Sequence, residues 1–537
     1  MKCVVFMGAL CYNLRRFSVA GSGPGTRVQP PYRRHKWEFA MNLILSRFEQ
    51  LVRTMPDKLA LACEDERYTF SQLRSLAARL GKTVSQALPR GQAVGVLVRR
   101  DAGSVAAFFA ALYAGCFYVP LDPDMPGQKL RTILDDAGIH LLLGTEADRS
   151  LAEAVGFSDP FLTTADAARE EASAPEAGAD TPLYMVYTSG STGKPKGVLK
   201  SHGAIVSFID AFAETFDLDA GEILGNQTPF FFDASAKDLY LMALTGASLE
   251  IIPSEKFIFP VRLLEYMNDR NVSCICWTPT ALSLVTQMNT FKAIVPKSLR
   301  KVLFVGEVFP IKQLHKWLTT LPDLRYINLY GSSEIAGICC WYEIPHGTLP
   351  EQLPMGKPLS NCRIWLHADE GFVLEPEVLG EVWIESPALA LCYYGDREKT
   401  DRVFCIEQLP DGRTARVLKS GDLARFDREG NLVFSSRKDF QIKHMGRRIE
   451  LGEIESVADT LPEIQRCCCL YNTTKNRIEL FCQLSPGAEL DGKQLQSLLR
   501  GKLSEYMFPS LIHILPEMPF NANGKIDRIR LKNSMQP

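Results

Sequence analysis

What this chain lacks first is charge of one sign: 60 lysines and arginines stand against 62 aspartates and glutamates, a formal net charge of −2 over 537 residues. With acids and bases interspersed there is no field to draw a nucleic acid or an anionic membrane, and neither is expected as a partner. Cysteine pairs at metal-binding spacing are missing as well. The 15 cysteines include a run at 467–469 but no CxxC, which argues against a zinc site or a small disulfide framework and for reduced thiols of a cytoplasmic protein, packed as small apolar groups. Long apolar runs are scarce. One stretch, residues 102–121 ("AGSVAAFFAALYAGCFYVPL"), is long enough to be scanned as a membrane span, but Gly115 and Pro120 divide it into a helix of about three turns and a short buried strand. Internal repeats and low-complexity tracts are absent.

The first forty residues lack acids. None precedes Glu38, whereas Lys2, Arg15, Arg16, Arg27, Arg33, Arg34 and Lys36 are basic. The segment is a poor match to a secretory or transit peptide and is expected to be a disordered extension, or a misassigned start with Met41 as the first residue.

What is present is a 46% apolar chain, ample for sizeable cores. From Met41 short apolar runs alternate with helical patterns: "LALACE" then "TFSQLRSLAARLGKTVSQAL", "AVGVLV" then "AGSVAAFFAALYAG", "FYVPL" then "PGQKLRTILDDAG". A second series begins at Tyr184, after an Ala-, Glu- and Asp-rich stretch at 165–181 that reads as a solvated linker. The pattern predicts an α/β fold: a large domain, 41–438, of two mainly parallel helix-flanked sheets with a β-rich subdomain after about Gly356, then a small mobile α+β domain, 439–537.

Several stretches carry polar chemistry. "YTSGSTGKPKG", residues 187–197, follows an apolar run, yet only two residues separate Gly190 from Gly193 and Pro195 follows Lys194, so a Walker A loop is excluded. What survives is a loop whose backbone N–H groups and hydroxyls can wrap anionic oxygens. "NLYGSSE" (328–334) places an aromatic, a turn, two hydroxyls and a carboxylate at a predicted strand end, where open α/β sheets hold ligands. "SGDLARF" supplies Asp422, "SRKDFQIKHMGRRIELGEIE" supplies Arg437, Asp439 and Lys443, and "NANGKIDR" puts Lys525 in a tight turn. Each has a plain structural reading as a turn or capped helix; their order along one chain does not.

With "YTFSQL", "FFDASAKDLYLMALTGASL", "GEVWIES" and "LSEYMFP" added, the chain from about Phe48 to Arg530 resembles the adenylate-forming superfamily, and within it the amino-acid adenylation domains of nonribosomal peptide synthesis. The resemblance implies that ATP and Mg²⁺ are used to join a carboxylate to the α-phosphorus with loss of pyrophosphate. Thr188, Ser189, Gly190, Ser191, Thr192, Gly193 and Lys196 would then cradle the β- and γ-phosphates, and Glu334 would bind Mg²⁺. Asn328 and Tyr330 would meet the adenine, with Gly331, Ser332 and Ser333 beside the phosphates. Asp422 would accept from the ribose hydroxyls with Arg437 helping, and Lys525 would neutralise charge between the carboxylate and the α-phosphate. Asp439 would be a hinge about which the "KHMG" face replaces the "NGK" face, so that a phosphopantetheine thiol attacks beside Gly446. Two departures stand out: "YGSSE" in place of the commoner "YGPTE", and Lys438 within "SRKDF".

The same resemblance implies that Asp233 pairs with a substrate α-ammonium, although an Asp capping the following helix fits the residue equally. Ala234, Lys237, Cys276, Leu303, Val305, Leu329, Gly337 and Ile338 would complete the acyl pocket. Lys237 needs a counter-charge if buried; an acidic substrate such as glutamate would supply one, and so would Asp238. The expected reaction is amino acid activation followed by transfer to a separate carrier protein, since no carrier domain follows Lys525. An acid–CoA ligase of the same superfamily and a catalytically inactive nucleotide-binding protein are the alternatives.

Overall fold

The run at 102–121 shows how the chain solves its packing. In the computed structural model, which describes residues 43–188, 194–345, 349–350, 352–373, 375–438, 441–520 and 526–535, it forms helix Ala102–Tyr113 and strand Phe117–Leu121. Asp101 caps the helix by accepting from the Ser104 N–H, and Gly115 takes the left-handed φ of 73° that turns the chain into the strand. Every residue of the helix except Gly103 is buried, because it lies between layers and not because it meets lipid. No helix among the described residues is long and apolar enough to cross a membrane.

That strand sits in a seven-stranded sheet whose Phe117–Leu121, Ala93–Leu97, Leu142–Leu143, Phe161–Leu162 and Pro182–Thr188 strands run parallel, while Lys196–Ser201 and Cys392–Tyr393 add antiparallel edges. A second sheet has nine strands. Its centre, from Leu59–Cys63 through Ser248–Ile251, Ile223–Asn226, Cys274–Trp277 and Lys301–Val305 to Arg325–Tyr330, is parallel, and its margins are antiparallel. Helices Leu43–Thr54, Phe70–Ala87, Ala102–Tyr113, His202–Phe216 and Ala236–Thr245 contribute to one core shared by both sheets. Through it runs a column of rings, Phe108 on Tyr118, Tyr118 on Tyr184 and Tyr184 on Tyr240. The two mainly parallel sheets expected from the alternation are both present.

A six-stranded antiparallel sheet spans Arg363–Arg437, the expected β-rich region. Beyond it come the hairpin Gln441–His444 with Arg447–Glu450 and a three-stranded sheet with helices Leu451–Ala458, Gly492–Leu499 and Arg528–Ser534. Contacts gather Ala40–Pro537 into one compact unit. The first forty residues lie outside the described ones.

The stretch 165–181 is less free than the linker reading predicts. Although mostly exposed, it is pinned to helix Phe70–Ala87: the Ala172 N–H donates to Ala78 O, and Glu171 meets Arg74 and Ser75. Its polar composition reflects solvent on one side only. All thirteen described cysteines are free thiols, and those at 467–469 are buried within strand Ile464–Asn472.

Candidate active site

The carboxyl ends of the parallel strands in the nine-stranded sheet open on a cleft of 160 Å³. Lining it are Thr188, Asp233, Ala234, Lys237, Val305, Gly331, Ser332, Ser333, Gly337, Ile338, Asp422 and Arg437, so most of the sequence-selected residues that the structure describes converge. A neighbouring cavity of 540 Å³ takes Asn328, Leu329 and Tyr330, and shares Asp422 and Arg437. Cys276 and Leu303 line neither; both are buried in the sheet behind the cleft. Residues 189–193, Asp439 and Lys525 lie outside the described residues. Lys194 is exposed.

At the acyl end, Asp233 opens a short helical turn ahead of helix Ala236–Thr245 but does not cap it. Its carboxylate instead accepts from the Tyr184 hydroxyl at 2.9 Å and from the Lys200 ammonium at 3.1 and 3.3 Å. The capping reading is therefore overturned: the side chain turns into the cleft wall, where a buried cation holds it. Lys237 is buried too, with Nζ 3.0 Å from Asp238 and 3.0 Å from Ala234 O. Burial depresses its ammonium, but Asp238 outweighs this and the net shift is upward. With that counter-charge in place, Lys237 no longer calls for an acidic substrate, and the surrounding Phe208, Phe231, Val305, Ala336 and Ile338 suit an apolar side chain.

At the nucleotide end, Asp422 stands at the turn of strand Thr414–Phe426 and accepts from the Tyr330 hydroxyl and from Arg437 Nη1 at 2.5 Å. Asn328 donates its amide to Pro354 O at 2.7 Å. Glu334, 2% exposed, accepts from Tyr393 at 2.7 Å and Arg448 at 2.5 Å. Burial alone would raise its carboxyl, but Arg448 and Lys196 overcome that and hold it well below the usual range. Burial, with Arg448 nearby, brings the Lys196 ammonium down to about 8. Thr188 Oγ1 is buried in the cleft with no hydrogen-bond partner among the described residues.

The hairpin at 441–450 closes the cleft. Lys443 donates to Gly331 O at 3.3 Å and lies over the Tyr330 ring. Arg447 stacks on Phe232 and Tyr506. Glu450 comes within 3.6 Å of Lys196, and the Gly446 N–H donates to Glu307 at 2.7 Å. Gly446 has φ 74°, and a Cβ there would fall 2.3 Å from Thr278 Cγ2, so only glycine fits. Sequence reading singles out this block but neither Arg447 nor Arg448; the alternation of charge with apolar residues in "GRRIELGEIE" is the available signal. Lys200 was missed although a lysine inside the apolar strand "GVLKS" is itself a signal of a buried partner.

Comparison with known proteins agrees with this arrangement. Tyrocidine synthase 1 of Brevibacillus parabrevis is 30% identical over 488 residues, which make up 90% of this chain but only 44% of that synthase's length. The D-alanine–D-alanyl carrier protein ligase of Bacillus licheniformis is 29% identical over 92% of this chain and 99% of its own. The solved structure of IdnL1 superposes with a TM-score of 0.76 at 28% identity, covering 88% of this chain and 98% of that one. Residues 48–394 match the family model described as AMP-binding enzyme. With a nucleotide-sized cavity beside the cleft and the family match spanning most of both sheets, the chain belongs to the AMP-binding enzyme family.

Proposed function

We propose that this chain activates an amino acid as its adenylate and passes the aminoacyl group to the phosphopantetheine thiol of a separate carrier protein. The observation that carries the reading is the convergence in one cleft of Asp233 at the acyl end, Thr188, Ser332 and Ser333 between, and the Asp422–Arg437 pair at the nucleotide end. In the first step a carboxylate oxygen bonds to the α-phosphorus and the bridging bond to the β-phosphate breaks, releasing pyrophosphate. The Thr188 hydroxyl, without a hydrogen-bond partner among the described residues, is available to the leaving group together with Lys196. Asp422 and Arg437 orient the ribose, and Lys525 meets the charge that gathers between carboxylate and α-phosphate. In the second step the thiol sulfur bonds to the acyl carbon and AMP leaves.

Glu334 suits Mg²⁺, which is held by one or two carboxylates together with substrate phosphates. Among the described residues no group of three or more His, Cys, Asp or Glu forms a metal centre. Glu334 would hold the ion, which would supply positive charge to the polyphosphate. The docked hairpin places Arg448 on that same carboxylate and Glu450 beside Lys196. Nucleotide and hairpin therefore contend for the same two charges. The hairpin's Gly446, against Gly306 and Thr278, supports the transfer state, with Asp439 as the hinge.

A carrier protein is favoured as acceptor by the D-alanyl carrier protein ligase, matched over nearly all its length. Loading decides it. Labelled amino acid incubated with ATP and either holo carrier protein or CoA should accumulate as thioester on the carrier; accumulation on CoA alone would replace the transfer half of this reading with an acid–CoA ligase.

A further inference from the structure

Lys200 has no part in the scheme above, yet it is a fully buried lysine, 0% exposed, whose ammonium donates to both oxygens of Asp233 at 3.1 and 3.3 Å and lies over the Tyr184 ring. Strand Lys196–Ser201 carries it among buried Val198, Leu199 and Ser201, an environment that has no use for a cation except through Asp233. Asp233 lines the cleft whereas Lys200 stands behind it. A carboxylate has about four acceptor positions, and Tyr184 with Lys200 takes three contacts on Asp233, so room remains for a ligand donor. The charge, however, is already met. Lys237 and Asp238 form a second closed pair, which leaves the acyl end with no surplus negative charge to attract an ammonium group.

We propose that Lys200 is a specificity-determining residue that acts through Asp233. By pairing internally with that carboxylate, it weakens the site's selection for an α-ammonium, so that des-amino carboxylic acids with the same side chain are activated alongside amino acids. A substrate ammonium must share Asp233 with a second cation a few ångströms away, and the two repel. A hydroxy, oxo or unsubstituted acid meets no such repulsion. Removing the Lys200 charge leaves Asp233 to draw its counter-ion from the substrate and turns the site into a strict amino-acid selector. This rests on the reading that Asp233 faces the group beside the substrate carboxylate.

The test is pyrophosphate exchange with an amino acid and its des-amino analogue, expressed as the ratio of their kcat/KM values, in the wild type, Lys200→Met and Asp233→Asn. The wild type should accept the two acids within about tenfold of each other, and Lys200→Met should move the ratio toward the amino acid by about tenfold or more. A purely structural lysine would lower stability and leave that ratio alone. A wild-type preference for the amino acid beyond about a thousandfold overturns the proposal, and needs no variant to fold. So does an unchanged ratio in Lys200→Met where Asp233→Asn selectively loses the amino acid; the Asp233 reading then stands. A ratio that Asp233→Asn leaves untouched overturns that reading itself, and this inference with it.

Discussion

At the acyl end the ion pairs close within neighbouring elements of the two parallel sheets, Asp233 on Lys200 and Lys237 on Asp238, whereas around Glu334 and Lys196 they reach across to the hairpin at 441–450, Arg448 on Glu334 and Glu450 near Lys196. Pairs of the first kind are anchored within packed elements and act as fixed parts of the wall. Pairs of the second kind can be broken by whatever brings the same charges, and in the proposed reaction Mg²⁺ with a polyphosphate would. The contrast teaches that one cleft can hold a static recognition end and a switching chemical end, distinguished by where the counter-charges are anchored.

Breaking a static pair should unfold more than it slows. Lys237→Met leaves the buried Asp238 carboxylate, which also accepts from the Asn226 amide at 2.9 Å, without its paired ammonium, and a stability loss of about 3–5 kcal/mol is expected in chemical denaturation; a change under about 0.5 kcal/mol would place Lys237 on the switching side. Lys525→Ala should cut amino-acid-dependent pyrophosphate exchange by about 10²–10³-fold while transfer from a supplied aminoacyl-adenylate survives. Gly446→Ala is its mirror image. The added Cβ collides with Thr278, so transfer should fall by about a hundredfold with exchange retained, and equal losses in both steps would remove the distinction between the two faces.

The smallest effect is one of pH. Lys196 in the folded chain loses its proton near 8, below its ordinary 10.5, so the charge offered to phosphate is full below that value and fades above it. KM for ATP should climb by up to about tenfold per pH unit beyond 8, and Lys196→Arg should flatten the rise. The unfolded chain keeps this proton up to about 10.5, so between 8 and 10.5 it binds more protons than the folded one, and the Lys196 contribution to stability increases with pH.

Much of the static architecture was readable from the chain. Apolar runs alternating with helical patterns announce helix-flanked parallel strands. The motif at 328–334 pointed to the cleft because strand ends of a parallel sheet gather on one side, whereas Asp422 reaches it from the antiparallel sheet. What stayed hidden were partnerships. Lys200 and Asp233 lie 33 residues apart, Tyr330 and Asp422 are separated by 92, and Arg448 meets Glu334 over a separation of 114. No local pattern encodes such distances. Lys237 is a further case: a buried lysine demands an anion, but only the fold reveals that Asp238, one residue on, points the right way to supply it.

The account stands most directly on ATP–pyrophosphate exchange by the intact chain with each amino acid in turn, glutamate and apolar members included. Exchange that depends on an amino acid and on Mg²⁺, strongest with an apolar side chain, is the predicted result. Absence of exchange with every amino acid and every des-amino analogue, from a folded chain that binds ATP, would contradict it.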